Sequence, residues 1–121
     1  MGLKVKRVYE PAVPEDGTRV LVDRYWPRGL SKEKAQIDVL MKQLAPSADL
    51  ISWFGHKPER WEEFKRRYRE ELESTGDRAA LDELRDRARS GDVTLVFGAR
   101  DEQHNNAVAL ADYLKETSAP E

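Results

Sequence analysis

Two short stretches concentrate the side chains able to do chemistry. The first, DRYWPRG at 23–29, carries a carboxylate (Asp23), two guanidiniums (Arg24 and Arg28) and the indole of Trp26. Arginines so spaced can clamp a carboxylate or phosphate through forked hydrogen bonds, and Trp26 offers an apolar wall for a ring. The second, GARDEQHNN at 98–106, brings Arg100, Asp101, His104, Asn105 and Asn106 to the start of a helical pattern. Free amides at a helix N-terminus, with the positive end of the helix dipole, favour an anion. His104 can donate to that anion or move a proton near neutral pH, with Asp23 or Asp101 as its partner. Asn105 and Asn106 can orient a ligand without adding charge. Each group also has a purely structural reading. Asp101 can cap the helix, His104 can bond a carbonyl beneath the sheet, and an Asp23–Arg100 or Arg24–Asp101 pair would lock the two loops with Trp26 in the core. The paired asparagines in a first helical turn fit a stability role less well, because asparagine is a modest helix former.

A third stretch, WFGHKPERW at 53–61, reads differently. His56 ahead of Pro58 suits a cap for the helix that follows, and the aromatic rings suit a core. The two histidines stand in neither HxH nor HxxxH spacing, so no metal is expected. No GxxxxGK[ST] phosphate loop is present, and no cofactor is expected. KRRYR at 65–69 alternates with glutamates along one helix and reads as a solvated, ion-paired face.

The elements that must hold these loops follow from periodicity. LKVKRVY (3–9) and TRVLVDRY (18–25) read as strands, and DVTLVFGA (92–99) is the clearest of all. Val20-Leu21-Val22 and the centre of 92–99 are apolar on both faces, as in covered strands. Residues 37–45 carry both alternating and helical spacing and are assigned to a strand. Helices are expected over 31–36 behind Ser31, from Ser47 to Phe54-Gly55, and over 58–73, 77–89 and 104–115. In 58–73, Trp61, Phe64, Tyr68 and Leu72 form one aromatic stripe. The expected fold class is therefore α/β. It is a single compact domain over residues 1–116, a small, mostly parallel central sheet of about four strands flanked by helices, with a frayed tail over 117–121. Ligands of such sheets sit at the carboxyl ends of central strands. If the two covered strands are parallel, DRYWPRG and ARDEQHNN open on the same edge.

Composition narrows the partners. Charged residues make up 36% of the 121, yet the net charge is only −2, so no global field draws the chain to nucleic acid or a membrane. No apolar run reaches the length of a membrane span, and no secretory leader pattern stands at the N-terminus. There is no cysteine, which removes disulfides and thiolate nucleophiles and fits a cytoplasmic setting.

The blocks DGTRVLVDRYWPRGLSKEKAQID, LAPSADLISWFGHKPERWEEFKRRYREEL and VTLVFGARDEQHNNAVALADYL together resemble the domain of unknown function 488 family, in its YeaO-like branch. The likeness runs from about Lys4 to Leu114 in unbroken order. It implies a compact α/β domain and supplies no activity. A related branch carries a Cys-His-Arg triplet where this chain has His104-Asn105-Asn106. The resemblance thus implies that thiol chemistry is absent here, while an anion cradle at the helix end is retained.

The expectation is a small anionic ligand, phosphorylated or carboxylate, held between 23–29 and 98–106. Arg24, Arg28 and Arg100 would neutralise it, Asn105 and Asn106 orient it, and Trp26 wall it. Any acid/base catalysis would fall to His104 with Asp23 or Asp101. The alternative is a non-enzymatic module that meets protein or RNA through exposed arginines and Trp26, Trp53 and Trp61. Neither a membrane nor nucleic acid is the expected partner, and the sequence specifies no oligomeric state.

Overall fold

A computed structural model describes residues 2–74 and 76–117. Within them lie four strands, Leu3–Arg7 (β1), Thr18–Leu21 (β2), Val39–Leu40 (β3) and Val93–Phe97 (β4). Five helices accompany them: Lys32–Ala35 (α1), Ala48–Phe54 (α2), Trp61–Ser74 (α3), Arg78–Ser90 (α4) and Asn106–Thr117 (α5). The strands form one parallel sheet in the order β1-β4-β2-β3. The two strands whose sequences are apolar on both faces, β2 and β4, are thus its centre. Their carboxyl ends open on one edge, and the fold is α/β as expected.

Alternation divides the sheet between two apolar layers. Val20, Val22, Leu95 and Phe97 face the larger core, with the aromatic stripe of α3 and the apolar faces of α4 and α5. Leu21 and Val96 face a smaller cluster with Val8 and Ala35, under α1. Trp61, Phe64, Tyr68 and Leu72 are all buried, and Phe64 stacks on Phe54 at 4.4 Å, joining α3 to α2. The smaller layer also buries a charge. Arg19 pairs with Asp16 at 2.8 Å and donates to the carbonyls of Ala35 and Val8. Burial opposes the negative charge on Asp16, but the Val13 amide, Lys6 and Arg19 outweigh it and hold its carboxyl below the usual range.

Local signals placed most boundaries. The hydroxyls of Ser31 and Ser47 accept from Lys34 and Leu50 and start α1 and α2, and Gly55 ends α2 in the left-handed region. Gly17, at φ 63°, lies so near β4 that a Cβ there would meet the Asp92 carbonyl oxygen at 2.1 Å. The Thr18 N–H donates to the same carbonyl at 3.0 Å, where β2 begins beside β4.

Several expectations changed. The strand expected over 18–25 ends at Leu21, and that over 3–9 at Arg7. Residues 37–45 give only the two-residue β3 and then a 3-10 turn, Lys42–Leu44. Met41 and Leu44 are both buried, and their three-residue spacing claims the second half of the segment. The helix expected from Pro58 opens as a 3-10 turn, Pro58–Arg60, before α3 proper. The last helix, expected over 104–115, starts at Asn106 and runs through Thr117. Residues 118–121 lie outside the described residues. Among the described residues no helix is long and apolar enough to cross a membrane.

Candidate functional site

A cleft of about 530 Å³ opens at the carboxyl edge of the sheet, over the ends of β1, β2 and β4. Both sequence loops reach it. Asp23, Arg24, Trp26 and Arg28 line it from the segment after β2, and Arg100 and Asn106 from the segment after β4. His104, Asp101 and Asn105 do not line it.

Asp23 is the staple between the two loops. Its Oδ2 accepts the Gly98 N–H at 2.8 Å, and its Oδ1 accepts from Nδ2 of Asn106 at 3.2 Å. The same Asn106 amide donates to the Val22 carbonyl at 3.0 Å, tying the first turn of α5 to the end of β2. Gly98 permits this closeness, since a Cβ there would stand 3.3 Å from Asp23 Oδ2. Burial raises the Asp23 pKa, and the Gly98 and Asn106 hydrogen bonds and the nearby His56 offset this only in part. Neither ion pair weighed from the sequence, Asp23–Arg100 or Arg24–Asp101, forms among the described residues.

The arginines are oriented without carboxylates. Arg24 donates Nε to the Pro46 carbonyl at 3.1 Å, and Arg7, at the end of β1, donates Nε to the Ala99 carbonyl at 2.9 Å. Each is thereby anchored through Nε, and among the described residues no hydrogen bond engages its terminal nitrogens. The segment 24–29 is held from both sides. Tyr9 Oη donates to the Arg28 carbonyl at 2.8 Å, Trp26 Nε1 donates to the Leu30 carbonyl at 2.6 Å, and Gly29 turns the chain at φ 68°.

His104 has another occupation. Asp101 makes an Asx turn, its Oδ1 accepting the Gln103 and His104 amides at 2.9 and 3.0 Å. Its Oδ2 meets His104 Nδ1 at 2.9 Å, and the imidazole stands edge-on to the Trp61 ring at 5.3 Å. The Gln103 amide first, then the His104 ring, hold the Asp101 carboxyl below its ordinary range. Asn105 is buried with both ends of its amide used. Nδ2 donates to the Asp101 carbonyl at 2.9 Å, and Oδ1 accepts the Val108 N–H at 3.0 Å, so Asn105 caps α5. The asparagine pair that looked ill-suited to a helix is a cap followed by a loop clamp. Because the cap lies at 105, His104 precedes the helix rather than occupying its first turn.

Several cleft residues escaped the sequence reading or were read otherwise, Tyr25 and Ile51 among them. Arg7 and Tyr9 arrive because β1 pairs with β4, so its carboxyl end shares the edge; the charged and aromatic end of LKVKRVY was the available signal. His56, read as a cap, lines the cleft at a positive φ of 56°. Of the three tryptophans, Trp61 is core, Trp53 is half-buried with the guanidiniums of Arg60 and Arg67 against its ring, and only Trp26 is exposed. Among the described residues no group of three or more His, Asp or Glu could hold a metal ion.

The protein is thus an α/β domain with an arginine-lined cleft at the carboxyl edge of a parallel sheet. The chain belongs to the DUF488 family: the family model described as the inactive DUF488-N3 subclade matches residues 2–121. An uncharacterised protein of Mycobacterium tuberculosis is 45% identical over 112 residues, spanning 93% of this chain and 92% of that protein. The uncharacterised protein YeaO of Escherichia coli is 37% identical over 118 residues, spanning 95% of this chain and 98% of that protein. No solved structure gives a significant match.

Proposed function

We propose that this protein, acting in the cytoplasm, binds a small phosphorylated or carboxylate ligand in the cleft between residues 23–29 and 98–106, and does no chemistry on it. One observation carries the reading. Arg7, Arg24, Arg28 and Arg100 line a single cleft, and among the described residues none of them is paired with a carboxylate. The cleft's one carboxylate, Asp23, already has both oxygens occupied. Elsewhere the chain matches arginine with acid, as in Arg19 with Asp16, Arg67 with Glu63 and Arg87 with Glu83. Four guanidiniums gathered around one carboxylate leave an excess of positive charge that an anion would stabilise.

Catalysis is assigned to no residue. His104 is engaged by Asp101 and Trp61 away from the cleft lining, and the matching family model is described as an inactive subclade. The loss of a Cys-His-Arg triplet implied by the family resemblance supports the same reading. The ligand is held, sensed or delivered rather than transformed.

The test is a thermal-shift titration with inorganic phosphate, pyrophosphate and citrate, with chloride added to keep ionic strength constant. Binding at a hundred times Kd stabilises the fold by about 2.7 kcal/mol. A saturable rise in Tm that Arg24→Gln with Arg28→Gln abolishes is the expected result. No rise with any of the three anions would reject the proposal.

A further inference from the structure

The cleft carries a second signal beside its charge. Among the described residues the exposed large hydrophobic side chains are Tyr9 (40%), Val13 (42%), Tyr25 (64%), Trp26 (39%) and Leu40 (59%). All three aromatic members of that set line this one cleft. The same chain buries Phe54, Trp61, Phe64, Tyr68 and Phe97, so it readily places rings inside. A cluster of uncovered rings confined to an arginine-lined cleft is therefore a local feature, and aromatic rings beside cations are the parts that receive a flat, charged ligand.

The polar atoms show what these rings can offer. Trp26 spends its one donor on the Leu30 carbonyl, and Tyr9 donates its hydroxyl to the Arg28 carbonyl. Arg7 lies over the Tyr9 ring at 4.9 Å, so one face of Tyr9 is already covered. Tyr25 and Trp26 remain as the stacking surfaces. Trp26 is held in place by its own loop and presents ring rather than hydrogen bond. Arg7 and Arg24 are likewise pre-set, each by a bond from Nε to a main-chain carbonyl. A ligand meeting both sets would lose little to ordering the site.

From this juxtaposition we infer that the cleft takes a nucleotide: phosphate on the arginines, and a flat base against Tyr25 and Trp26. A volume of about 530 Å³ lies within the range of small-ligand sites. The inference rests on the anion-site reading and adds the ring to it.

Calorimetric titration of the full chain at constant ionic strength separates the two claims. The probes are inorganic pyrophosphate, ribose 5-phosphate and adenosine mono- and diphosphate. Base stacking on an aromatic side chain should make adenosine monophosphate bind about tenfold or more tighter than ribose 5-phosphate. Tyr25→Ala should shrink that ratio; Tyr25 is the most exposed of the rings, so its removal leaves the fold standing. Trp26→Phe keeps a ring and should keep most of the ratio, whereas Trp26→Ala should not. Equal affinities for adenosine monophosphate and ribose 5-phosphate would overturn the nucleotide inference and leave the anion site intact. A ratio unmoved by both Tyr25→Ala and Trp26→Ala would also overturn it. No binding by any probe would remove both claims.

Discussion

Cutting Asp23 back to alanine should loosen the joint between the two site loops. Its Oδ2 is the acceptor for the Gly98 N–H at 2.8 Å, and its Oδ1 takes the Asn106 amide at 3.2 Å. Asn106 keeps the Val22 carbonyl at 3.0 Å, so the main loss is the acceptor for Gly98. Leaving a shielded donor unpaired costs about 1–3 kcal/mol. Against it stands relief of the desolvation that raises the Asp23 pKa. The net expectation for Asp23→Ala is a loss of about 1–2 kcal/mol, or a Tm lower by about 3–8 °C for a domain of this size. Asp23→Asn keeps an oxygen for Gly98 and should lose less.

The pH dependence gives a second handle with a definite sign. Folding raises the Asp23 pKa above 3.8, so the folded state binds that proton more tightly than the unfolded chain. This position therefore lowers stability as pH rises from 3.8 through the raised value, with no further change above it. Asp23→Asn has no such slope. Melting followed by circular dichroism, from neutral pH down through the acid range, should show wild type gaining on Asp23→Asn as the buffer is acidified. If Asp23→Ala melts with wild type at neutral pH, or the wild-type advantage over Asp23→Asn ignores pH, the staple is wrong.

The buried charge under α1 should be no more tolerant. Arg19→Met leaves Asp16 with Lys6 and the Val13 N–H and strands the Ala35 carbonyl, at a cost of about 1–3 kcal/mol measurable by urea unfolding. Gly17→Ala forces a side chain into a positive φ and against the Asp92 carbonyl, and should cost at least about 2 kcal/mol in the same assay. Asn105→Ala removes the α5 cap and should cost about 1 kcal/mol while leaving anion affinity within about twofold. His104→Ala should likewise spare anion affinity; a large loss of binding would return His104 to the site.

Much of this architecture was legible because its causes are local. The apolar runs of β2 and β4, the serine caps, the aromatic stripe of α3 and the glycine stop of α2 all rest on residues within a turn or a strand of one another. The meeting of DRYWPRG with the loop after β4 followed from parallel central strands. What stayed hidden depends on distant partners. Strand order is not written in any one segment, so Arg7 and Tyr9 could not be placed beside Arg100. Arg19 reads as one more surface charge until Asp16 and the Ala35 carbonyl close over it. The exchange of histidines has two local sources. The Asn105 cap sets the start of α5 and leaves His104 facing Trp61, while His56, after the left-handed Gly55, lines the cleft instead.

Where an anion lands is the most direct test. Isotope-labelled protein can be titrated with inorganic pyrophosphate at constant ionic strength, with backbone amide and arginine Nε resonances followed by NMR. An anion seated among the arginines gives saturable shifts centred on Arg7, Arg24, Arg28 and 98–100, with His104 and Asn105 nearly still. Saturable shifts at His104 and Asn105 instead, or non-saturating shifts scattered over α3 and α4, would contradict the cleft as the binding site.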